Sequence, residues 1–332
     1  MERIRISDIA EELGVSTATV SNVIHGKTGK VSAETIRRVQ ELLEQRQYIP
    51  SMAGILLAQN DSRIIGVVVN AHEKYESRVL EDVFIASALN CLSEEIERHG
   101  LFMMVKTTTK PDDIVRFSSM WNLDGMVLIG FCEEDYQHLR DQIRVPFVVY
   151  DGFFEQPRRI CNLTLDNYDG GLQVGRHFRA LGHQKALCIS DNLICMDKER
   201  YEGFRDGFGQ EADLLLIPMH QTERQRFYLE HLRFLQQYTA VFAVSDHYAV
   251  DLICFLGSQN LSVPGQISVA GFDDTPICSQ MIPALTSVRQ DSSLRARLAL
   301  EHLRALKAGT ESGSTIKLPV TLIVRESTRP PR

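Results

Sequence analysis

The chain has 332 residues, 44% hydrophobic and 24% charged, enough for two or three domains with sizeable cores. Its net charge of −7 excludes a uniformly basic nucleic-acid-coating protein, and no apolar run of the length a membrane span needs (about 18 residues or more) occurs. Residues 1–60 hold seven Lys or Arg against seven Asp or Glu, so any DNA contact there depends on local placement of charge.

The first segment, Met1-Glu2-Arg3-Ile4-Arg5, is charged and lacks the apolar region of a signal peptide. Ile6, Ile9, Ala10 and Leu13 have helical spacing, and Gly14 can end that helix in a left-handed conformation. Val15 follows, with Ser16 as N-cap of a second helix whose Val20, Val23 and Ile24 face a small core. Two helices joined by so tight a glycine turn predict a helix-turn-helix. After a loop at 26–30, Ser32 caps a third helix carrying Ile36, Val39, Leu42 and Leu43, and Tyr48-Ile49-Pro50 ends the unit. Residues 51–59 can form one further short helix. Gly54 weakens it, so it reads as a linker that orders on contact.

From Arg63 the pattern changes. Ile64-Ile65-Gly66-Val67-Val68-Val69 is a continuous apolar run, as in a parallel strand buried on both faces. Further strands are predicted at 101–105, 125–129, 147–150, 162–165, 186–189, 214–217, 240–244 and 267–271, with helices at 80–98, 170–181, 225–236 and 294–307. Alternating strands and helices in this number predict an α/β core of two doubly wound parallel lobes. The seven cysteines, at 91, 132, 161, 188, 195, 254 and 278, form no CxxC pair. Their odd count and scatter suit reduced thiols in a cytoplasmic protein.

Several ordered motifs resemble the LacI/GalR family of bacterial regulators. They are Ile6-Ser7-Asp8-Ile9-Ala10, Gly14-Val15-Ser16-Thr17-Ala18-Thr19-Val20-Ser21, Leu181-Gly182-His183, Ser262-Val263-Pro264, the run from Ile267 to Asp274, Pro283-Ala284-Leu285-Thr286 and Val324-Arg325-Glu326-Ser327-Thr328. The resemblance spans nearly the whole chain. It implies a helix-turn-helix head (1–48), a hinge helix and linker (49–61) and a periplasmic-binding-protein-like core. One lobe of that core is 62–164 with 290–322, the other 165–289 with 323–332. It also implies a homodimeric repressor of double-stranded operator DNA, controlled by a small molecule between the lobes, without cofactor.

On the same resemblance Thr17, Ala18 and Asn22 read bases. Ala18 can touch a thymine methyl, and Asn22 can pair bidentately with adenine where many family members carry an arginine suited to guanine. Ser16, Thr19, Ser21 and Lys30 suit phosphates, which position without specifying. Leu57 corresponds to the hinge leucine that wedges into the minor groove.

Ligands of open α/β sheets sit beyond the carboxyl ends of strands. That rule selects Asp151, Asp166, Ser245, Asp246 and Asp273, with Asn70, Tyr75 and Phe131 from the first lobe and Gln290 at a crossover. Arg200 stands where the family places an effector-binding arginine. Carboxylates, a guanidinium and an aromatic ring suit a sugar. Ser245, where an Asn or similar residue is common in the family, leaves a purine or amino-acid-like ligand open. An enzyme is the rival class. The GxGxxA match from Gly207 to Ala212 follows a helical segment instead of a strand, and GxSxG, GxxxxGK[ST] and HExxH are absent. His177 and His183 flank a helix end and read as surface or capping residues.

Overall fold

The computed structural model describes residues 4–24, 26–48, 62–131, 139–152, 160–209 and 211–331, and the chain divides into units at 1–62 and 63–332. The predicted linker helix, with Gly54 and Leu57, lies outside the described residues.

In the first unit, α1 (Ile6–Leu13), α2 (Thr17–Ile24) and α3 (Ala33–Gln45) pack around Ile9, Ala10, Val20, Val23, Val39 and Leu42. Gly14 takes φ 65°, which a residue without Cβ adopts freely, and its N–H bonds back to Ala10 and Glu11 carbonyls. The chain can therefore turn at once, and Ser16 Oγ accepts the Thr19 N–H at 3.1 Å to start α2. Ser32 caps α3 in the same way, through the Thr35 N–H at 3.2 Å.

The second unit holds two six-stranded sheets. The first contains β1 (Ile64–Asn70), β2 (Phe102–Thr108), β3 (Gly125–Ile129), β4 (Phe147–Tyr150), β5 (Ile160–Leu165) and β11 (Ser314–Leu318), in the order β11-β5-β4-β3-β1-β2, all parallel. The second contains β6 (Lys185–Ser190), β7 (Glu211–Leu216), β8 (Ala240–Ala243), β9 (Ser268–Asp273), β10 (Thr286–Arg289) and β12 (Thr321–Ile323), in the order β12-β10-β9-β8-β6-β7. Only β12 runs antiparallel, against β10. The apolar run of β1 is buried along its length up to Asn70, as a central parallel strand requires.

Helices α4 (Val83–Arg98), α5 (Pro111–Met120) and α10 (Ser292–Ala308) belong with the first sheet, and α6 (Asn167–Ala180), α7 (Cys195–Phe208), α8 (Gln221–Glu230) and α9 (Asp246–Ser258) with the second. The chain crosses between lobes after β5, after β10 and after β11. The last crossing precedes Thr321, so the second lobe resumes two residues before the predicted 323. Helices α5, α7 and α9 and strands β10 to β12 were not among the elements predicted by range.

The carboxyl-terminal segment is built into the second lobe: Ser327 Oγ accepts the Thr286 N–H at 2.8 Å and donates to the Val269 carbonyl at 2.6 Å. His183, read from the sequence as a surface or capping residue, is not at the surface. It is buried, with Nδ1 2.8 Å from Thr239 Oγ1 and Nε2 3.0 Å from the Arg329 carbonyl, so it clamps that segment. Burial lowers the pKa of its ring below the usual histidine value. Among the described residues no helix is long and apolar enough to cross a membrane, and no disulfide joins one described cysteine to another.

Candidate functional site

Two places concentrate polar groups away from the cores. The first is the amino-terminal end of α2. Thr17 and Ala18 are exposed on its first turn, and Ser21 and Asn22 follow one turn on, half-buried. Ser16 and Thr19 are bonded to each other at 2.9 Å, so the cap itself fixes the first turn. Lys30 is exposed in the loop before α3. The orphan N–H groups at this helix end favour an anion nearby.

The second is a cavity of about 650 Å³ between the two sheets, at the carboxyl ends of their strands. Tyr75, Phe131, Arg200 and Asp273 line it, as do Asp151, Ser245, Asp246 and Gln290. Arg200 is held from behind: Nε donates to Asn167 Oδ1 at 2.9 Å, Nη1 to the Val244 carbonyl at 2.7 Å, and the guanidinium lies 3.7 Å from the centre of the Phe272 ring. Asp273 ends β9 with φ 115°, a costly backbone for a residue with a side chain, of the kind that gathers at ligand sites. Its Oδ1 accepts from Gln290 Nε2 at 2.9 Å. Burial pushes its pKa well above the ordinary aspartate value against the pull of Arg200.

Other predicted contacts have different jobs. Asp166 stands outside the cavity. Its Oδ1 accepts the Asp169 N–H at 3.1 Å as the N-cap of α6 and meets Lys317 Nζ at 3.2 Å. It follows β5, which lies beside the edge strand β11 at the rim of the sheet. Asn70 is also outside the lining, with Nδ2 donating to the Gly130 carbonyl at 2.8 Å. Asp246 lines the cavity, yet its oxygens accept from Ser287 Oγ at 2.5 Å, the Thr275 N–H at 2.8 Å and Thr275 Oγ1 at 2.9 Å. Asp151 accepts the Leu165 N–H at 3.2 Å and pairs with buried Arg295 at 2.8 Å. These two acids shape the cavity, with their hydrogen-bonding capacity turned to the protein. Ser245 Oγ caps α9, 3.4 Å from the Tyr248 nitrogen.

The profile of the bacterial regulatory proteins of the lacI family matches residues 5–51, and that of the periplasmic binding protein-like domain matches residues 176–328. The chain is 28% identical to the HTH-type transcriptional repressor PurR of Mannheimia succiniciproducens and 29% identical to the PurR repressor of Actinobacillus pleuropneumoniae, each over 98% of both chains. The chain thus carries a lacI-family helix-turn-helix domain and a periplasmic-binding-protein-like domain. Its fold is that of the lac repressor dimer bound to operator and the anti-inducer ONPF, with a TM-score of 0.85 at 22% identity over 99% of this chain and 100% of the other. The transcriptional regulator CelR in complex with cellobiose is similar too, with a TM-score of 0.70 at 22% identity over 98% of this chain and 100% of the other.

The cavity also contains residues that sequence reading missed. Lys74, Asp82, Asp191, Asp197, Arg224 and Tyr248 all line it. Asp191 directly follows β6 and was open to the same strand-end rule as Asp273; Lys74 lies in a 3-10 turn (Glu73–Tyr75) and Asp82 is the N-cap of α4, positions that rule does not reach. Burial raises the pKa of Asp197 while Arg200 and Lys74 oppose that rise, and Asn192 Nδ2 donates to it at 2.9 Å. Arg224 is committed to the protein, with Nε 2.7 Å from Asp251 Oδ2 and Nη1 2.6 Å from the Met219 carbonyl. The lobes meet at the cavity wall where the Gln221 N–H donates to Glu76 Oε1 at 3.2 Å. The GxGxxA match runs from the end of α7 through Gly209, a left-handed C-cap, into β7, the reverse of a strand-to-helix nucleotide turn.

Asp273→Asn separates binding from stability. The raised pKa means the folded state holds the proton more tightly than the unfolded chain, so stability falls as pH rises through that window. The variant should melt higher than the parent at pH 8 without ligand, match it near pH 4, and bind effector more weakly. A lower melting temperature at pH 8 would show that the site favours the charged form.

Proposed function

We propose that this protein is a homodimeric transcription repressor that grips operator DNA through α2 and releases or holds it according to a neutral polyhydroxyl ligand, a mono- or disaccharide, bound between its lobes. The observation that carries the reading is the cavity at the carboxyl ends of both sheets in a chain that begins with a helix-turn-helix. Residues 1–48 read DNA, 49–61 link, and the two lobes close on the ligand. Arg200 and Asp273 are the polar anchors, and Tyr75 and Phe131 offer apolar faces to a sugar ring. The acids Asp82 and Asp191 repel a polyanion in a partly dry site. Neutral hydroxyls can donate to those carboxylates and accept from Arg200. CelR carries cellobiose in its complex, and a LacI regulator of Alkaliphilus metalliredigens carries D-xylulofuranose.

Selection of bound sequences from a random duplex pool, followed by calorimetry with neutral sugars, sugar phosphates and nucleobases, tests the reading. A selected site with dyad symmetry and tight binding of a neutral sugar supports it. Failure to retain any duplex removes the repressor, and tight binding of a phosphorylated or nucleobase ligand with sugars inert removes the carbohydrate. On the selected operator Asn22→Ala should cost about 1–3 kcal/mol and relax preference at one base pair per half-site. An unchanged preferred sequence would mean that α2 does not read bases through Asn22.

A further inference from the structure

Three zinc-type ligands converge far from the effector cavity. Cys161 is the second residue of β5, His302 lies on α10, and Glu311 follows that helix. Their Sγ, imidazole nitrogen and carboxylate oxygen all lie within 4.8 Å of one another. The fold brings them together for local reasons. Gly309 ends α10 with φ 70° and reverses the chain, so Glu311 returns alongside His302, with Nδ1 2.6 Å from Glu311 Oε2. Strand β11 then starts at Ser314, paired in register with Cys161. Ser314 Oγ lies 3.5 Å from the Cys161 sulfur and also bonds Glu311. The cluster sits at the amino ends of β5 and β11, whereas the effector cavity occupies the carboxyl ends of the strands.

We propose that Cys161, His302 and Glu311 form a binding site for one thiophilic divalent metal ion of the zinc class, separate from the effector site. Thiolate, imidazole and carboxylate are the ligand types zinc takes, with bonds of about 2.0–2.3 Å. A tetrahedral ion with such bonds holds its ligand atoms roughly 3.3–3.7 Å apart. The 2.6 Å His302–Glu311 contact must therefore open by roughly 0.7 Å, while the sulfur, within 4.8 Å of both, closes by at most about 1.5 Å. His302 and Glu311 are each about one-fifth exposed, which gives the ion a way in and leaves a fourth position for water or the Ser314 hydroxyl. Binding releases the thiol proton to solvent, and the metal–sulfur bond replaces the S–H bond. Without metal the same groups form a hydrogen-bonded cluster, and the test must separate the two.

Cobalt(II) chloride added anaerobically to the untagged full-length chain should give a thiolate-to-metal charge-transfer band that saturates at one equivalent and is displaced by zinc chloride. Cys161→Ser should abolish the band with circular dichroism unchanged. His302→Gln should weaken zinc binding by at least about a hundredfold, and zinc should raise the melting temperature of the parent but not of the variants. No band in the parent overturns the proposal, and so does a band that survives Cys161→Ser, since another thiol then holds the metal. If Cys161→Ser does not fold, Glu311→Gln decides on a more exposed residue: a large loss of zinc affinity supports the site, and unchanged affinity overturns it.

Discussion

Gly203→Ala should be among the most damaging single substitutions in the core, costing about 3–5 kcal/mol and lowering the melting temperature on the order of 10 °C. Helices α6 and α7 touch backbone to backbone through four glycines. A Cβ on Gly203 would collide with the Tyr168 carbonyl, and one on Gly207 with that of Leu172; from the other side, Gly171 faces the Arg200 carbonyl and Gly175 that of Phe204. The obstacles are main-chain atoms within helices, so no rotamer change relieves the overlap and the helices must separate. Arg200 rides on the displaced helix and would leave its seats on Asn167 and Val244. The variant should therefore lose effector binding at temperatures where it is still folded. Gly257→Ala is the contrast, because it sits on the exposed face of α9 with nothing within 4 Å of the new carbon. It should stabilise by about 0.5–1 kcal/mol through helix propensity. Equal melting temperatures for the two variants would show that the helix contact yields without cost.

The same glycines explain part of what the sequence does not reveal. Gly203 and Gly207 lower the helix propensity of α7, and their value appears only against α6, a partner that no local pattern names. Helix α9 is hidden for the opposite reason. Tyr248, Ala249, Leu252, Ile253, Phe255 and Leu256 are all buried, so apolar residues cover most of its surface and blur the amphipathic period. Central strands such as β1, β3 and β4 are legible because burial on both faces writes a continuous apolar run. Strands β11 and β12 are short edge strands whose burial alternates or is partial, and they carry little such signal.

In the site, the strand-end rule finds Asp273 and misplaces Asp166 for one physical reason. The residue after a strand is also the N-cap of the next helix, and a carboxylate serves either role. Asp166 follows a strand beside the sheet edge and caps, while Asp273 is the last residue of a strand in the sheet interior, reaches the cleft and meets Gln290. Arg200 was legible only through family position; no periodicity marks a guanidinium that crosses to the Val244 carbonyl.

Arg200→Met is expected to cost about 3–5 kcal/mol at neutral pH and to abolish the effector response. Methionine keeps much of the stem that packs on Phe272, so the loss is chiefly polar. Two terms add. Asn167 Oδ1 and the Val244 carbonyl lose their donors, each a buried acceptor worth about 1–3 kcal/mol when left unpaired. Asp273 and Asp197 also lose the cation that opposes the effect of their burial. The second term depends on pH. Both folded-state pKa values already lie above the ordinary carboxylate value, so these groups bind protons more tightly folded than unfolded, and stability is lost as pH rises through the raised values. Without Arg200 those values climb further and the losing window extends upward. The deficit should therefore be smallest near about pH 4 and grow toward neutrality. Adding Asp273→Asn to Arg200→Met should recover part of the neutral-pH deficit, because one of the two stranded charges is gone, and the double-mutant cycle should be non-additive. Denaturant melts of the parent, both single variants and the double variant at pH 4, 6 and 8 provide the measurement. A deficit independent of pH, with additive effects, would mean that Arg200 holds the cavity by hydrogen bonds alone and that its charge does not reach Asp273.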